Sequence, residues 1–347
     1  MKSMQLTGLR RMELFDVPQP DVREDTDVLI RMQAVGVCGS DVHYYATGKI
    51  GSQVVQYPFP VGHEGAGYVE KVGAGVHSLR VGERVAIEPA MPCGACDQCL
   101  AGRSHTCRKL RFLGCPGQAD GCLSEYIVMP ESSCIPIPSA MRFEQAAISE
   151  PLAVGLYAAR LAGVIRDKRV AILGSGPIGL SVLAAARLAG AATVHVTDLI
   201  DERLAIARQS GATAVYNVTR EDAVAGIAAA EPLLLDLVFE CCGRQEAIDQ
   251  AIRLLKPGGT LLIVGIPEFS RFSFPVDDLR RKELSIRNVR RQNGCDREAV
   301  RMIADGAVAV DHWITHRFSL PDTQKAFNLV AGYRDGVMKA MIDFETV

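Results

Sequence analysis

The chain has 347 residues, a formal net charge of −2 and 48% hydrophobic residues. That length favours two domains over one, and the apolar fraction is ample for packed cores, which excludes wholesale disorder. The near-balanced charge leaves no basic stripe to grip a phosphate backbone, so nucleic-acid binding is disfavoured.

The opening "MKSMQLTGLRRMELFDV" lacks the apolar centre of a signal peptide, so the expected compartment is the reducing cytoplasm. From there to about residue 145 the chain reads as β-rich. Short apolar runs such as "DVLIRMQAVGV", "AGYVEKV" and "ERVAIEPA" alternate with turn signals such as "GAGVHSLRVGE", which suggests a barrel or sandwich-like domain. The run "AAISEPLAVGLYAARLAGVI" contains Glu150 and Arg160, so it reads as a buried helix and not as a membrane span.

From Lys168 onward strands and helices alternate. "RVAILG", "TVHVTD", "LDLVFECCG" and "TLLIVG" read as strands; "PIGLSVLAAARLAG", "DERLAIARQSG" and "EAIDQAIRLLKPGG" read as helices, with "KPGG" as a stop followed by a tight turn. The strands are continuous apolar runs, as in a parallel sheet covered on both faces, so the rhythm predicts a doubly wound α/β domain. After about Leu284 the pattern loosens into one helix, "DREAVRMIADG", and strand-like "HWITHRF" and "MKAMIDF".

"VAILGSGPIGL" carries G-x-G-x-x-G at Gly174, Gly176 and Gly179, with Ile178 inside the motif. The spacing alone is weak; an apolar strand before it and an apolar helix after it make it a dinucleotide loop. Asp198 ends the next strand, 24 residues after Gly174. A carboxylate there accepts from ribose hydroxyls and repels a 2′-phosphate, which favours NAD over NADP. The competing reading is a simple cap on the helix that follows. Arg203, on that helix's first turn, is either an adenosine contact that keeps some NADP tolerance open or an ordinary exposed arginine.

The chain has eleven cysteines. An odd number argues against a closed disulfide framework, and a reducing compartment favours metal binding. Four of them, Cys93, Cys96, Cys99 and Cys107, fall in "PCGACDQCLAGRSHTC". Four thiolates close a tetrahedral ion with no vertex left for substrate, which marks structural zinc; a redox dithiol lacks its usual context here. Cys115, Cys122, Cys134, Cys241, Cys242 and Cys295 read as small buried hydrophobes.

Elsewhere, Cys38 ends an apolar run, His63 and Glu64 follow Gly62 in a glycine-rich turn, and Glu150 sits inside an apolar stretch. Each alone has a bland explanation, but a carboxylate in an apolar run needs a partner or a metal. A thiolate, an imidazole and one carboxylate make a zinc site with one position open.

Together "CGSDVHYY", "GHEGAG", the four-cysteine loop, "EPLAVGLYAAR" and the glycine loop resemble the zinc-containing medium-chain alcohol dehydrogenases, and within them the sorbitol/xylitol (polyol) dehydrogenases. The resemblance spans nearly the whole chain. It implies a GroES-like catalytic domain over 1–150, a Rossmann NAD-binding domain over 151–285, and a return to the catalytic domain over 286–347, with catalytic zinc and nicotinamide in the cleft between domains. It also implies catalytic-zinc ligands at Cys38, His63 and Glu64, with Glu150 touching that metal directly or through water. By the same resemblance Ser40 hydrogen-bonds the reacting alcohol and His43 ends a proton relay. Tyr44, Phe112, Glu150 and Arg290 meet the substrate. One departure stands out: where polyol enzymes show Arg-Tyr, this chain has "RRQN", so Arg291 replaces an aromatic. That is either a surface or cofactor-side arginine or a charge that favours a sugar acid.

The expected function is therefore zinc- and NAD-dependent oxidation of a polyol to a ketose. A sugar-acid, butanediol or threonine dehydrogenase is the alternative within the family. Outside enzymes, the alternatives are a zinc-stapled NAD-binding protein without catalysis and a zinc module for nucleic acid or protein. No membrane partner is expected, and the family resemblance implies a homo-oligomer, a tetramer.

Overall fold

The computed structural model describes residues 1–344; the last three residues of the expected C-terminal segment lie outside the described residues. The chain begins with β1 (Lys2–Gly8), β2 (Arg11–Asp16), β3 (Asp27–Gly36), α1 (Gly39–Thr47), β4 (Lys49–Ile50), β5 (Gln53–Val54) and β6 (Glu64–Val72). It continues with β7 (Arg84–Ile87), β8 (Ala90–Met91), α2 (Asp97–Leu100), β9 (Arg111–Phe112), β10 (Tyr126–Pro130), β11 (Cys134–Pro136) and α3 (Phe143–Ala147). Then come α4 (Ser149–Ala162), β12 (Arg169–Leu173), α5 (Pro177–Leu188), β13 (Thr193–Asp198), α6 (Asp201–Gln209), β14 (Ala214–Asn217), α7 (Ala223–Ala230) and β15 (Leu235–Glu240). The remainder is α8 (Gln245–Leu254), β16 (Leu255–Ile263), α9 (Val276–Arg281), β17 (Ser285–Asn288), α10 (Asp296–Ala304), β18 (Ile314–Ser319), α11 (Thr323–Ala331) and β19 (Lys339–Asp343).

Two compact units result: one is Met1–Glu150 together with the chain from Asp296 onward, the other is Pro151–Cys295. In the first, β3 is the spine. It pairs antiparallel with β6, β10 and β19, in a sheet ordered β11-β7-β6-β3-β19-β18 with β10 also on β3. The run "DVLIRMQAVG" is buried almost without interruption and not alternately, as in a strand covered on both faces. Val28, Ile30, Met32 and Val35 pack with Val61, Val69, Val85, Met129 and Ile342 into one core. Truncating one of the large members to alanine costs about 2–5 kcal/mol.

Helix α1 was not visible as a periodic pattern. Gly48 ends it in the left-handed region (φ 73) and returns its N–H to the Tyr44 carbonyl, a glycine stop that only a residue without a Cβ makes cheaply. Asp41, Tyr44 and Tyr45 point inward.

The second unit is a six-stranded parallel sheet ordered β14-β13-β12-β15-β16-β17. Strand order reverses between β12 and β15, the place where doubly wound sheets bind dinucleotides. Two details differ from the expectation. "KPGG" lies inside β16, as an irregular strand start with Gly258 at φ 75, and not in a separate turn. And β17 continues the sheet to Asn288, so this unit extends to Cys295 instead of ending at 285. Among the described residues no helix is long and apolar enough to cross a membrane.

Candidate metal and cofactor sites

Strand β3 ends at Gly36, and the Val37 N–H is held by the Ala340 carbonyl of β19. Cys38, in extended conformation, then caps α1. Across the sheet Gly36 is opposite Glu64, and a Cβ at Gly36 would overlap the Glu64 carboxylate. Gly62 turns the incoming chain at φ +100, where an added Cβ would also press on Leu123. These two glycines bring His63 and Glu64 beside Cys38. One donor atom from each of Cys38, His63 and Glu64 lies within 4.8 Å of the others.

Two residues that the sequence reading missed complete this cluster. Asp41, fully buried, places Oδ1 at 3.2 Å from His63 Nδ1. The Nδ1–H donates to it, so the Nε2 lone pair is left for a metal. Ser40 Oγ lies 3.5 Å from that Nε2 and donates to Cys38 Sγ at 3.3 Å. Lys339, from β19, donates to both Glu64 oxygens and, at 3.2 Å, to the Val37 carbonyl. A carboxylate three residues after a helix-capping cysteine was the available signal for Asp41. Nothing local marks Lys339.

The electrostatics suit a cation. Burial of the His63 ring works against its protonated form, but the charges of Asp41 and then Cys38 outweigh it and hold the imidazole well above its ordinary pKa. The Asp41 carboxylate and the Cys38 sulfur around one imidazole make a place for positive charge, which a divalent ion would fill. For Lys339, burial likewise opposes the charge, and Glu64, then Cys38, override it. The donor set fits zinc: three protein ligands of mixed sulfur, nitrogen and oxygen type, with a tetrahedral vertex to spare. Cys38 and Ser40 are half-buried whereas His63, Glu64 and Asp41 are buried, so the cluster is approached from the Cys38–Ser40 side.

Glu150 stands beside the cluster and outside its three grouped donors. It occupies the first turn of α4, and its charge acts on Lys339. Phe112 sets its ring 5.3 Å from that of His63, and Tyr44 is buried on α1, where His43 is half-buried. Arg290 and Arg291 follow β17 in the second unit. Arg290 is exposed, and Arg291 is half-buried in the left-handed region at φ 53.

Cys93, Cys96, Cys99 and Cys107 form the other donor group, their sulfurs within 4.8 Å of one another. Gly94 and Gly102, both at positive φ, allow the tight reversals, and Cys96 caps α2. Backbone N–H groups of Arg108 and Cys99 draw the Cys96 thiol down to about 6, while burial pushes Cys99 up to about 12. A bound cation would draw sulfurs so closely grouped into the thiolate form, and four ligands would close the site.

In the second unit Gly174 leaves β12 at φ +104 and Gly176 caps α5, with Pro177 at its first position and Ile178 half-buried beside it. A Cβ at Gly179 would collide with the Gly174 carbonyl. Asp198 accepts from Ser175 N at 2.7 Å and from Leu199 N and Ile200 N at 2.8 and 3.0 Å. It therefore holds the glycine loop and starts the next helix at once. Three backbone bonds leave about one of a carboxylate's roughly four acceptor positions for a ribose hydroxyl. Arg203 is not an ordinary exposed helix residue. It is buried, its carbonyl accepts from Ser175 Oγ, and its guanidinium lies against Gly176. The remaining cysteines divide. Cys115, Cys122, Cys134 and Cys295 are buried as expected, but Cys241 is half-buried and Cys242 exposed, because they follow β15 out of the sheet beside Gly174.

Residues 24–139 match the alcohol dehydrogenase GroES-like domain family and residues 177–305 the zinc-binding dehydrogenase family. The chain is 36% identical to the sorbitol dehydrogenase of Bacillus subtilis (strain 168) over 343 residues, covering 99% of this chain and 97% of that protein. It is 35% identical to D-xylulose reductase A of Aspergillus oryzae over 337 residues, covering 94% and 93%. A solved structure described as a zinc-binding dehydrogenase from Sinorhizobium meliloti 1021, bound to NADP, superposes with a TM-score of 0.90 at 32% identity, over 99% of this chain and 98% of that one.

Proposed function

Since the chain belongs to the zinc-containing medium-chain alcohol dehydrogenases, oxidoreductases that act on CH–OH groups with zinc and a nicotinamide cofactor, we propose that it oxidises a secondary hydroxyl of a sorbitol- or xylitol-type polyol to the ketose, reversibly, with NAD. The observation that carries this reading is the group Cys38, His63 and Glu64, three donors of a catalytic rather than a closed zinc site. The identity with a sorbitol dehydrogenase and a D-xylulose reductase supports the substrate class.

When bound, zinc supplies the Lewis acidity that favours loss of an alcohol proton, and the nicotinamide supplies the hydride acceptor. The chain's own residues do the rest. Asp41 keeps His63 in the tautomer that offers Nε2. Lys339 holds Glu64 at one edge of the cluster. Ser40, beside Cys38 and His63, accepts the alcohol proton as it hands its own hydroxyl proton on toward His43. His43 lies three residues further along α1, on the same face, and passes that proton to solvent. Tyr44, Phe112, Glu150 and Arg290 meet the remaining substrate. Asp198 and Arg203 bind the adenosine end, with Asp198 disfavouring a 2′-phosphate.

The four-cysteine loop is read as structural zinc, which requires reduced thiols and so a reducing compartment such as the cytoplasm. The exposed β17 edge is the surface we assign to self-association into a homo-oligomer, a tetramer by family expectation. A second reading, a sugar-acid substrate, rests on the half-buried Arg291. NAD-linked rates on matched alditols and aldonates, run beside a zinc count, test both. Two zinc ions and alditol turnover are expected; one zinc without turnover would defeat the catalytic reading. An aldonate preference that vanishes in Arg291→Tyr would favour the second.

A further inference from the structure

Beside the three donors lies a polar cluster of which the proposed chemistry uses only Tyr44. Its hydroxyl donates to Gln53 Oε1 at 3.1 Å, Gln53 Nε2 donates to Cys115 Sγ at 2.8 Å, and the hydroxyl and thiol are 3.7 Å apart. Tyr44 and Cys115 are buried, and Gln53 is half-buried.

Backbone geometry ties this cluster to the metal site. Tyr44 stands one helical turn after Ser40 on α1, hence on the same face. Cys115 closes a turn with Phe112, its N–H donating to the Phe112 carbonyl at 3.2 Å, and Phe112 is the ring that packs on His63. Between them Gly114, at φ +70, is pressed so closely onto Gly62 that a Cβ there would come within 2.7 Å of the Gly62 carbonyl. The Cys115 turn thus lies directly on the Gly62–His63 turn. Gln53 is fixed by the β4–β5 hairpin, whose end is tied to α1 through Val55 N and the Gly48 carbonyl at 2.9 Å.

We propose that Gln53, backed by Cys115 and Tyr44, is a specificity-determining residue that reads a substrate hydroxyl away from the reacting carbon. This rests on the polyol reading above. A primary amide offers two N–H donors and two acceptor positions. One donor goes to a thiol, a weak acceptor, and one acceptor position to Tyr44. A vicinal diol can donate to and accept from the same amide. A monohydric alcohol leaves it unmatched, and a site built to pair hydroxyls rejects such analogues strongly. The competing account is structural: the trio merely fastens the β4–β5 hairpin to α1.

The test uses the full-length, zinc-loaded protein with NAD. kcat/KM is measured on xylitol, sorbitol and 2-butanol for the wild type, Gln53→Leu, Gln53→Glu, Cys115→Ala and Cys115→Ser, with Tm and zinc content of each. Gln53→Leu is expected to lose about 10- to 100-fold on the alditols, mainly through KM, and the loss on 2-butanol to be about tenfold smaller. Gln53→Glu keeps the shape and the Tyr44 bond but cannot donate; it gives the same ranking should the leucine variant be unstable. Cys115→Ser should fall less than Cys115→Ala. Equal losses on alditols and 2-butanol, or no alditol loss, would overturn the Gln53 assignment alone. A wild type that oxidises 2-butanol but neither alditol would overturn the polyol reading instead.

Discussion

Lys339 places its ammonium 2.6 and 2.9 Å from the two carboxylate oxygens of Glu64, and both side chains are sealed from water. The pair joins the last strand of the chain to the first residue of β6, 275 positions away. It sets a fixed cation next to the place where the metal is assigned, so Glu64 is oriented before any metal arrives.

Replacing Lys339 by methionine should leave a buried, unpaired carboxylate and cost about 3–5 kcal/mol. Urea unfolding of the metal-free protein measures this. Adding Glu64→Gln should recover part of the loss, because the two changes share one interaction. Strict additivity would show that the pair is not coupled.

Asp41 touches His63 and not the metal position. Asp41→Asn keeps an acceptor but removes the charge, and Asp41→Ala removes both. Loss of such a partner typically weakens metal binding 10–100-fold. Zinc competition with a chromogenic chelator should show the weaker affinity at one of two sites, with alanine worse than asparagine.

Cys38→Ser removes one of three protein donors. Metal analysis should find about one zinc per chain instead of two, NAD-linked turnover should disappear, and NADH fluorescence titration should show nearly unchanged binding. Near-normal turnover would mean that the donor group is not the catalytic centre.

Asp198→Ala should lower kcat/KM with NAD and raise the NADP-to-NAD ratio about tenfold or more. Because Asp198 also holds Ser175 N and the start of α6, binding of both cofactors should weaken somewhat. A variant that lost both equally would assign Asp198 to the loop alone.

Asp236 accepts from Arg169 N at 2.9 Å and faces Lys256, Arg169 and Lys168. Burial raises its pKa, but Lys256 and the Arg169 N–H outweigh that and hold it at about 2. A carboxyl depressed on folding stabilises the native state fully above its unfolded pKa, and this contribution is lost as pH falls through the folded value. Asp236→Asn should therefore cost about 2 kcal/mol near pH 7. The gap between the two proteins should close as pH falls from about 4 to 2. Urea midpoints across that range check it; a constant gap would assign the effect to packing.

The parts of this protein that could be read along the chain are those with local causes. The glycine loop needs a left-handed turn that glycine adopts cheaply at Gly174, and at Gly179 a residue with no Cβ to strike the Gly174 carbonyl. Cys93, Cys96 and Cys99 gather because a two-residue spacing turns the backbone once between each pair, and Cys107 joins them within the same short loop. The β-α alternation follows from the continuous burial of strands such as β12 and β15. Cys38, His63 and Glu64 were found through a family pattern more than through chemistry, since each has an innocent local explanation. Lys339 on Glu64, Asp41 on His63, Gln53 on Cys115, and Glu150 outside the donor group follow from strand register and turn packing between segments far apart in sequence. A β19 shifted by one residue along β3 would turn Lys339 to the other face of the sheet. No periodicity near residue 339 carries that information, because side-chain direction in a sheet is set by the partner strand.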